Sequence, residues 1–156
     1  MPNKVQSDDA VSLRVATPAD ADALATLAGE LGYPATGSVM GRRLDDVLNS
    51  GKDVVLMATR AGLVVGWIHV STVASLESDL FAEIRGLVVT HSERRRGVGS
   101  QLVGAAEAWS RRHSCPRLRV RSNVVRSETR RFYEKRGFVV TKMQNVFDKP
   151  LSSAER

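Results

Sequence analysis

Apolar and polar positions alternate along this chain in two rhythms, and the switches between them mark its elements. VSLRVA (11–16) alternates with period two and predicts a first strand. Thr17, Pro18 and Asp20 then supply an N-cap, a first helical proline and a first-turn carboxylate. Leu24, Leu27, Ala28 and Leu31 follow at helical spacing, and Gly32 ends that helix. A second helix is expected over 38–49, with Val39, Leu44, Val47 and Leu48 facing inward and Gly51 after it. DVVLMATR (53–60) and LVVGWIHVST (63–72) read as strands joined by Ala61-Gly62, a hairpin signal. A polar loop at 74–80 precedes another strand, FAEIRGLVV (81–89). After Arg96 the helical rhythm returns, with Val98, Leu102, Ala105, Ala106 and Trp109 on one face. PRLRVRSN (116–123) places Leu118 and Val120 on one strand face and arginines on the other. A short helix over 127–136 and two closing strands, GFVVTKM and QNVFDKP, complete the chain. The order β-α-α-β-β-β-α-β-α-β-β predicts an α/β (α+β) fold, a mixed sheet with helices on both faces.

Length adds that one domain, 11–150, accounts for most of the 156 residues, with tails at 1–10 and 151–156. The chain shows no internal repeat or low-complexity segment. A hydrophobic share of 42% belongs to a globular chain, and no apolar run is long enough to cross a bilayer. The start, MPNKVQSDDA, has no apolar stretch of the signal-peptide kind. One cysteine, Cys115, can form no internal disulfide and fits a reducing compartment, so the expected location is cytoplasmic. The net charge of +6 is uneven: Arg85 to Arg136 holds 14 basic and 4 acidic residues, the rest of the chain 9 and 13. That asymmetry points to an anionic ligand on one side, or to a solvated basic surface.

The stretch ERRRGVGSQLV (93–103) sharpens the choice. Arg94, Arg95 and Arg96 run into Gly97 and Gly99 where a helix begins. A helix start offers unpaired N–H groups and the positive end of its dipole to an anion. Glycines let the anion approach the backbone, and arginines add charge and forked donors suited to phosphate. A phosphate or pyrophosphate is the ligand this chemistry selects. It is not held by a Walker loop, because no Lys-Ser or Lys-Thr follows the glycines. Nor is it a dinucleotide fingerprint, because Leu102 stands where the third glycine belongs. The plain alternative is a glycine-containing helix start beside solvated arginines.

Arg94-Arg95-Arg96-Gly97-Val98-Gly99 resembles the [QR]-x-x-G-x-[GA] signature of the GNAT superfamily of N-acetyltransferases. EIRGLVV resembles the strand before that loop, and RRFYEKRGFVV a later helix-to-strand segment of the same family. The likeness covers roughly 11–150 in matching element order. It implies a mostly antiparallel central sheet of about seven strands, and direct acetyl transfer from acetyl-CoA to a primary amine, with no metal. The pyrophosphate would lie against Arg94, Arg95, Arg96, Gly97, Val98, Gly99 and Ser100. Backbone N–H groups of Leu87, Val88 and Val89, freed by a bulge, would serve the acetyl carbonyl and the pantetheine arm. Asn123 resembles a residue that contacts that arm; a polar turn residue is its alternative. Glu83 lies where relatives carry a base acting through water, and an ion-pair partner of Arg85 is the alternative. Tyr133 matches the tyrosine credited with protonating the leaving thiolate. If Phe132 faces the core, Tyr133 is turned about 100° aside, towards the cleft; a tyrosine packed at the sheet edge is the alternative. A homodimer is common among relatives.

Other residues read plainly. His69, His91 and His113 do not form a metal set, and Cys115 with His113 lacks an orienting group. Trp67 and Trp109 suit core positions. ESDLFAE (77–83) gathers Glu77, Asp79 and Glu83 and suggests a cationic acceptor. The rival function is a non-catalytic module binding CoA or nucleic acid through the basic Arg85–Arg136 half. Against nucleic acid, no aromatic stripe interleaves the arginines.

Overall fold

A computed structural model describes residues 10–152, so nearly all of both expected tails lies outside the described residues. The chain divides into two compact units at Arg121 and Ser122.

The first unit is a sheet of five strands, β1 (Val11–Val15), β2 (Asp53–Arg60), β3 (Leu63–Val73), β4 (Phe81–Val89) and β5 (Leu118–Val120), in that spatial order. The first three pairings are antiparallel; β4 and β5 are parallel. Ala61 and Gly62 both take positive φ, 49° and 76°, which is the twist a two-residue hairpin needs. Helices α1 (Ala21–Glu30) and α2 (Gly37–Leu48) follow β1, and α3 (Val98–Arg112) lies between β4 and β5. The strand pleat sorts the helices onto opposite faces. Val55 and Met57 of β2 join Leu24 and Leu44 in one apolar cluster, with Trp67 packed at its margin. On the other face Gly66 of β3 lies under Val98 and Leu102 of α3.

The start of α1 is pinned from β1. The Asp20 carboxylate accepts the Thr17 N–H at 2.8 Å and takes the forked Arg14 guanidinium at 2.7 Å on each oxygen. The arginine, against the cost of burial, holds the Asp20 carboxyl below the usual range. Residues 18–20 form a 3-10 turn before α1 proper, and Gly32 follows the helix with φ 86°.

Two glycines inside strands are set by close approach. A methyl at Gly66 would stand 2.9 Å from the Val88 carbonyl oxygen and 3.2 Å from a Leu102 methyl. One at Gly86 would meet the Trp67 ring at 2.9 Å.

The second unit holds helix α4 (Ser127–Glu134), with no strand among the described residues beyond it. The sheet therefore has five strands where about seven were expected, since 137–143 and 144–150 are not strands. Val139, Met143, Val146 and Phe147 are exposed, Phe147 to 89%. The residues favour strands, but no tight-turn pair separates Met143 from Gln144, and a lone hairpin is marginal without further strands. The strand expected over 116–123 is also shorter, because parallel pairing with β4 ends at Ile84 and Val120.

Candidate active site

In β4 the register with β3 passes from His69–Gly86 to Val70–Ile84, so Arg85 is the extra residue of a β-bulge. On its other side β4 pairs with β5 over Ala82–Ile84 alone. The bulge thus falls where the two parallel strands part, and Leu87, Val88 and Val89 lie beyond the last β4–β5 pair. On the β5 side they have no strand partner among the described residues, while on the other side all three stay in register with β3, opposite Ile68, Trp67 and Gly66.

The arginine loop follows. Thr90 donates its N–H to Val65, and Arg94 Nε reaches back to the Val89 carbonyl at 3.3 Å. Arg95 has φ 63° and Gly97 φ 84°, and Gly97 stands as N-cap of α3 with no side-chain cap. A Cβ at Gly97 would meet nothing within 4 Å, so its left-handed φ, not crowding, calls for glycine. Val98 is fully buried and anchors the first turn, while Ser100 is exposed and Gly99 half-buried. The 15-residue α3 so begins at an uncapped N-terminus behind a left-handed turn, flanked by exposed Arg94, Arg95 and Arg96. These residues fit a diphosphate: bare N–H donors, the helix dipole and forked cations.

Two carboxylates that the sequence did not single out hold the loop. Glu93 pairs with Arg60 at 2.9 Å and with Arg96 at 3.2 Å. Glu30, at the end of α1, accepts the Thr90 hydroxyl at 2.9 Å and the His91 N–H at 3.0 Å. Both partners of Glu30 lie 60 or more residues away, so no local pattern could reveal them.

Glu83 is 3% exposed on β4. Its Oε2 accepts Arg85 Nη1 at 2.5 Å, the ion pair weighed from the sequence. Its Oε1 accepts Arg121 Nε at 2.8 Å, a partner the sequence reading missed. Arg85 and Arg121 are the first residues past the last β4–β5 pair on their respective strands. Phe81, two residues before Glu83, is covered by the guanidinium groups of Arg117 and Arg119, 4.7 and 4.6 Å from the ring centre. The acidic stretch 77–83 is therefore divided: Glu77 and Asp79 are exposed in the loop, while Glu83 is buried and paired.

The second unit contains Asn123 and Tyr133. Asn123 Oδ1 accepts the Val125 N–H at 3.2 Å and its carbonyl accepts Arg126, the hydrogen bonding of a polar turn. Tyr133 is 8% exposed, with edge-on contacts to Phe132 and Phe138. Phe132 is only half-buried, so the expected facing is reversed. The Arg136 guanidinium stacks 3.6 Å over the Phe132 ring and holds that phenylalanine at the surface. Burial pushes the Tyr133 phenol up to about 12, so it keeps its proton throughout the working range.

The remaining candidates have structural partners. His69 Nε2 lies 2.7 Å from Asp53, which also accepts the Ser50 and Ser71 hydroxyls. The Cys115 thiol is buried and its pKa raised by that burial, and the His113 ring contacts the Trp109 carbonyl and stacks on the Trp109 ring. Among the described residues no group of three His, Cys, Asp or Glu could hold a metal ion, and no helix is long and apolar enough to cross a membrane.

The acetyltransferase (GNAT) family model matches residues 25–138, and the chain belongs to that family. Among solved structures, an acetyltransferase of Trypanosoma brucei is 24% identical with a TM-score of 0.74, covering 90% of this chain and 100% of its own. The aminoglycoside 6'-N-acetyltransferase AAC(6')-IG of Acinetobacter haemolyticus is 19% identical at 0.78, covering 90% and 99%. The aminoglycoside N-acetyltransferase AAC(6')-Iy, solved with CoA, is 18% identical at 0.83, covering 94% and 99%. At these identities the likeness is one of fold. No curated protein matches the chain.

Proposed function

We propose that this protein is an acetyl-CoA-dependent N-acetyltransferase that moves the acetyl group directly to a primary amine. One observation carries the reading: the bulged end of β4, paired with β3 but open on its β5 side, runs into an uncapped α3 N-terminus flanked by arginines, in a chain of the GNAT family. Arg94 to Ser100 would hold the diphosphate of CoA. The N–H groups of Leu87 to Val89 would align the pantetheine arm and accept the charge developing on the thioester oxygen. Asn123 would contact that arm.

In the reaction the amine nitrogen attacks the thioester carbon, the carbon–sulfur bond breaks, and an amide and a thiol result. The amine must first lose a proton, because an alkyl amine of pKa about 10.4 is largely protonated at neutral pH. Glu83 is the acceptor this reading assigns, through water. Each of its oxygens accepts one arginine and keeps lone-pair capacity for a second donor. Tyr133 is the assigned donor to the departing sulfur, a phenol that is protonated at every working pH. The reading includes action in the cytoplasm, which the lone buried thiol suits, and a homodimeric assembly.

The test is acetyl-CoA titrated by calorimetry and thermal unfolding, followed by thiol release against a panel of amines. A ligand at one hundred times its dissociation constant adds about 2.7 kcal/mol of stability, which is readily seen as a raised Tm. If nucleic acid raises Tm and acetyl-CoA does not, the chain is instead a binding module.

A further inference from the structure

We infer that the amine acceptor carries an anionic group, a carboxylate in the first instance, and that Arg85 is its principal recognition residue. This rests on the acetyltransferase reading and names the substrate class of that site.

The argument is one of local charge. Phe81, Glu83 and the bulge residue Arg85 belong to β4, and Arg117, Arg119 and Arg121 stand at alternate positions along or just beyond β5. Glu83 and Arg119 are direct cross-strand partners. Four arginines thus belong to the strip of β4 and β5 that holds one buried carboxylate. Glu83 engages Arg85 and Arg121. Arg117 and Arg119 lie over the Phe81 ring and form no ion pair with a described residue. Positive charge thus runs along β4 and β5, from Arg117 and Arg119 beside Phe81 to Arg85 where the strands separate, next to the β4 residues that would face the acetyl group.

Arg85 has the freedom to serve a ligand. Its side chain is 51% exposed, and it spends Nη1 on Glu83. Its Nε and Nη2 make no hydrogen bond with a described residue. A guanidinium with one edge anchored on a buried carboxylate and another turned to solvent is oriented before the ligand arrives. That suits forked binding of a second carboxylate. Its position on the bulge sets it two residues, about 6–7 Å of strand, before Leu87. An amine and a carboxylate on one small molecule can span such a distance.

This replaces the cationic acceptor suggested by the acidic stretch. Of that stretch Glu83 is engaged by both Arg85 and Arg121, and Glu77 and Asp79 stay in the exposed loop.

The experiment compares matched acceptors, amino acids against their carboxamides and against diamines of equal length, by thiol release at saturating acetyl-CoA. The carboxylate form should show at least a tenfold higher kcat/KM, and the advantage should shrink as salt rises. Arg85→Gln should remove most of that preference while leaving the KM for acetyl-CoA within about twofold. Arg85→Lys should recover part of it, since it restores charge without the fork. In parallel, calorimetry on the CoA-loaded protein compares N-acetyl amino acids with their amides, a measurement independent of turnover. If carboxamides or diamines are the better acceptors, or if the carboxylate preference survives in Arg85→Gln, the inference is wrong. If no amine is turned over, the acetyltransferase reading fails instead, and the calorimetric preference still decides whether this patch binds a carboxylate.

Discussion

The α3 loop and the Glu83 cluster are both rich in arginine, yet they are built on opposite plans. In the loop the backbone is specialised: left-handed Arg95 and Gly97, an uncapped helix start and a buried Val98 beneath it. Its arginines are exposed. Around Glu83 the backbone is ordinary strand apart from one bulge, and the specialisation lies in side chains locked by a buried carboxylate. Backbone recognition suits a ligand part that is always the same, such as a diphosphate. Side-chain recognition suits the partner that differs between members of one fold. Changing the loop should therefore cost cofactor binding, and changing the cluster should alter the reaction and its acceptor.

The largest effect is expected at the loop. Gly99→Glu puts a bulky negative side chain in the first turn of α3 and should reduce acetyl-CoA binding below calorimetric detection in a folded protein. Unchanged affinity would place the diphosphate elsewhere and dissolve the contrast. Next comes the proposed proton donor. Tyr133→Phe keeps the ring and should lower kcat by about 10²-fold or somewhat less, with acetyl-CoA affinity nearly intact. Wild-type kcat, where chemistry is shown to limit the rate, would remove Tyr133 from the mechanism.

A smaller, pH-dependent effect belongs to the cluster. Glu83→Gln should slow the reaction by about tenfold at neutral pH and much less at alkaline pH, where free amine is abundant. An equal loss at every pH would mean that Glu83 serves only to hold Arg85 and Arg121. The smallest effect should come from the loop's side-chain support. Glu93→Gln removes the charge from its pairs with Arg60 and Arg96 and should weaken acetyl-CoA by only a few-fold, because the left-handed turn and the Val98 anchor remain. A loss comparable to that of Gly99→Glu would show that side chains, not backbone, define the loop.

What could be read from the sequence follows the same division. The loop was legible because its chemistry is contiguous: three arginines, two glycines and a helical rhythm within eleven residues. β1 to β4 and α1 to α3 were found within a few residues, since each carries its own period and its own stop. The Arg85–Glu83 pair was within reach because two residues apart on a strand is a local relation. Arg121 was not, because its contact with Glu83 spans 38 residues and depends on a parallel register that no local pattern encodes. The segments after Gly137 misled for a related reason. Val139, Val140, Val146 and Phe147 have strand preference, but that preference expresses packing against a neighbour, and these side chains are exposed.

The two crowded glycines of the sheet have a consequence for how the sequence can vary. At Gly66 any side chain meets a carbonyl and two aliphatic groups of the helix above, and at Gly86 it meets a tryptophan ring. Neither neighbour is the loose end of a flexible chain. In a library that varied every codon, these two columns should be nearly blank although neither residue touches a ligand through a side chain. The helical Gly29 and Gly104, with open space around them, should accept most letters. A scan for functional positions that ranked columns by intolerance alone would therefore place Gly66 and Gly86 beside Gly99, and would confuse the thickness of a sheet with the shape of an active site.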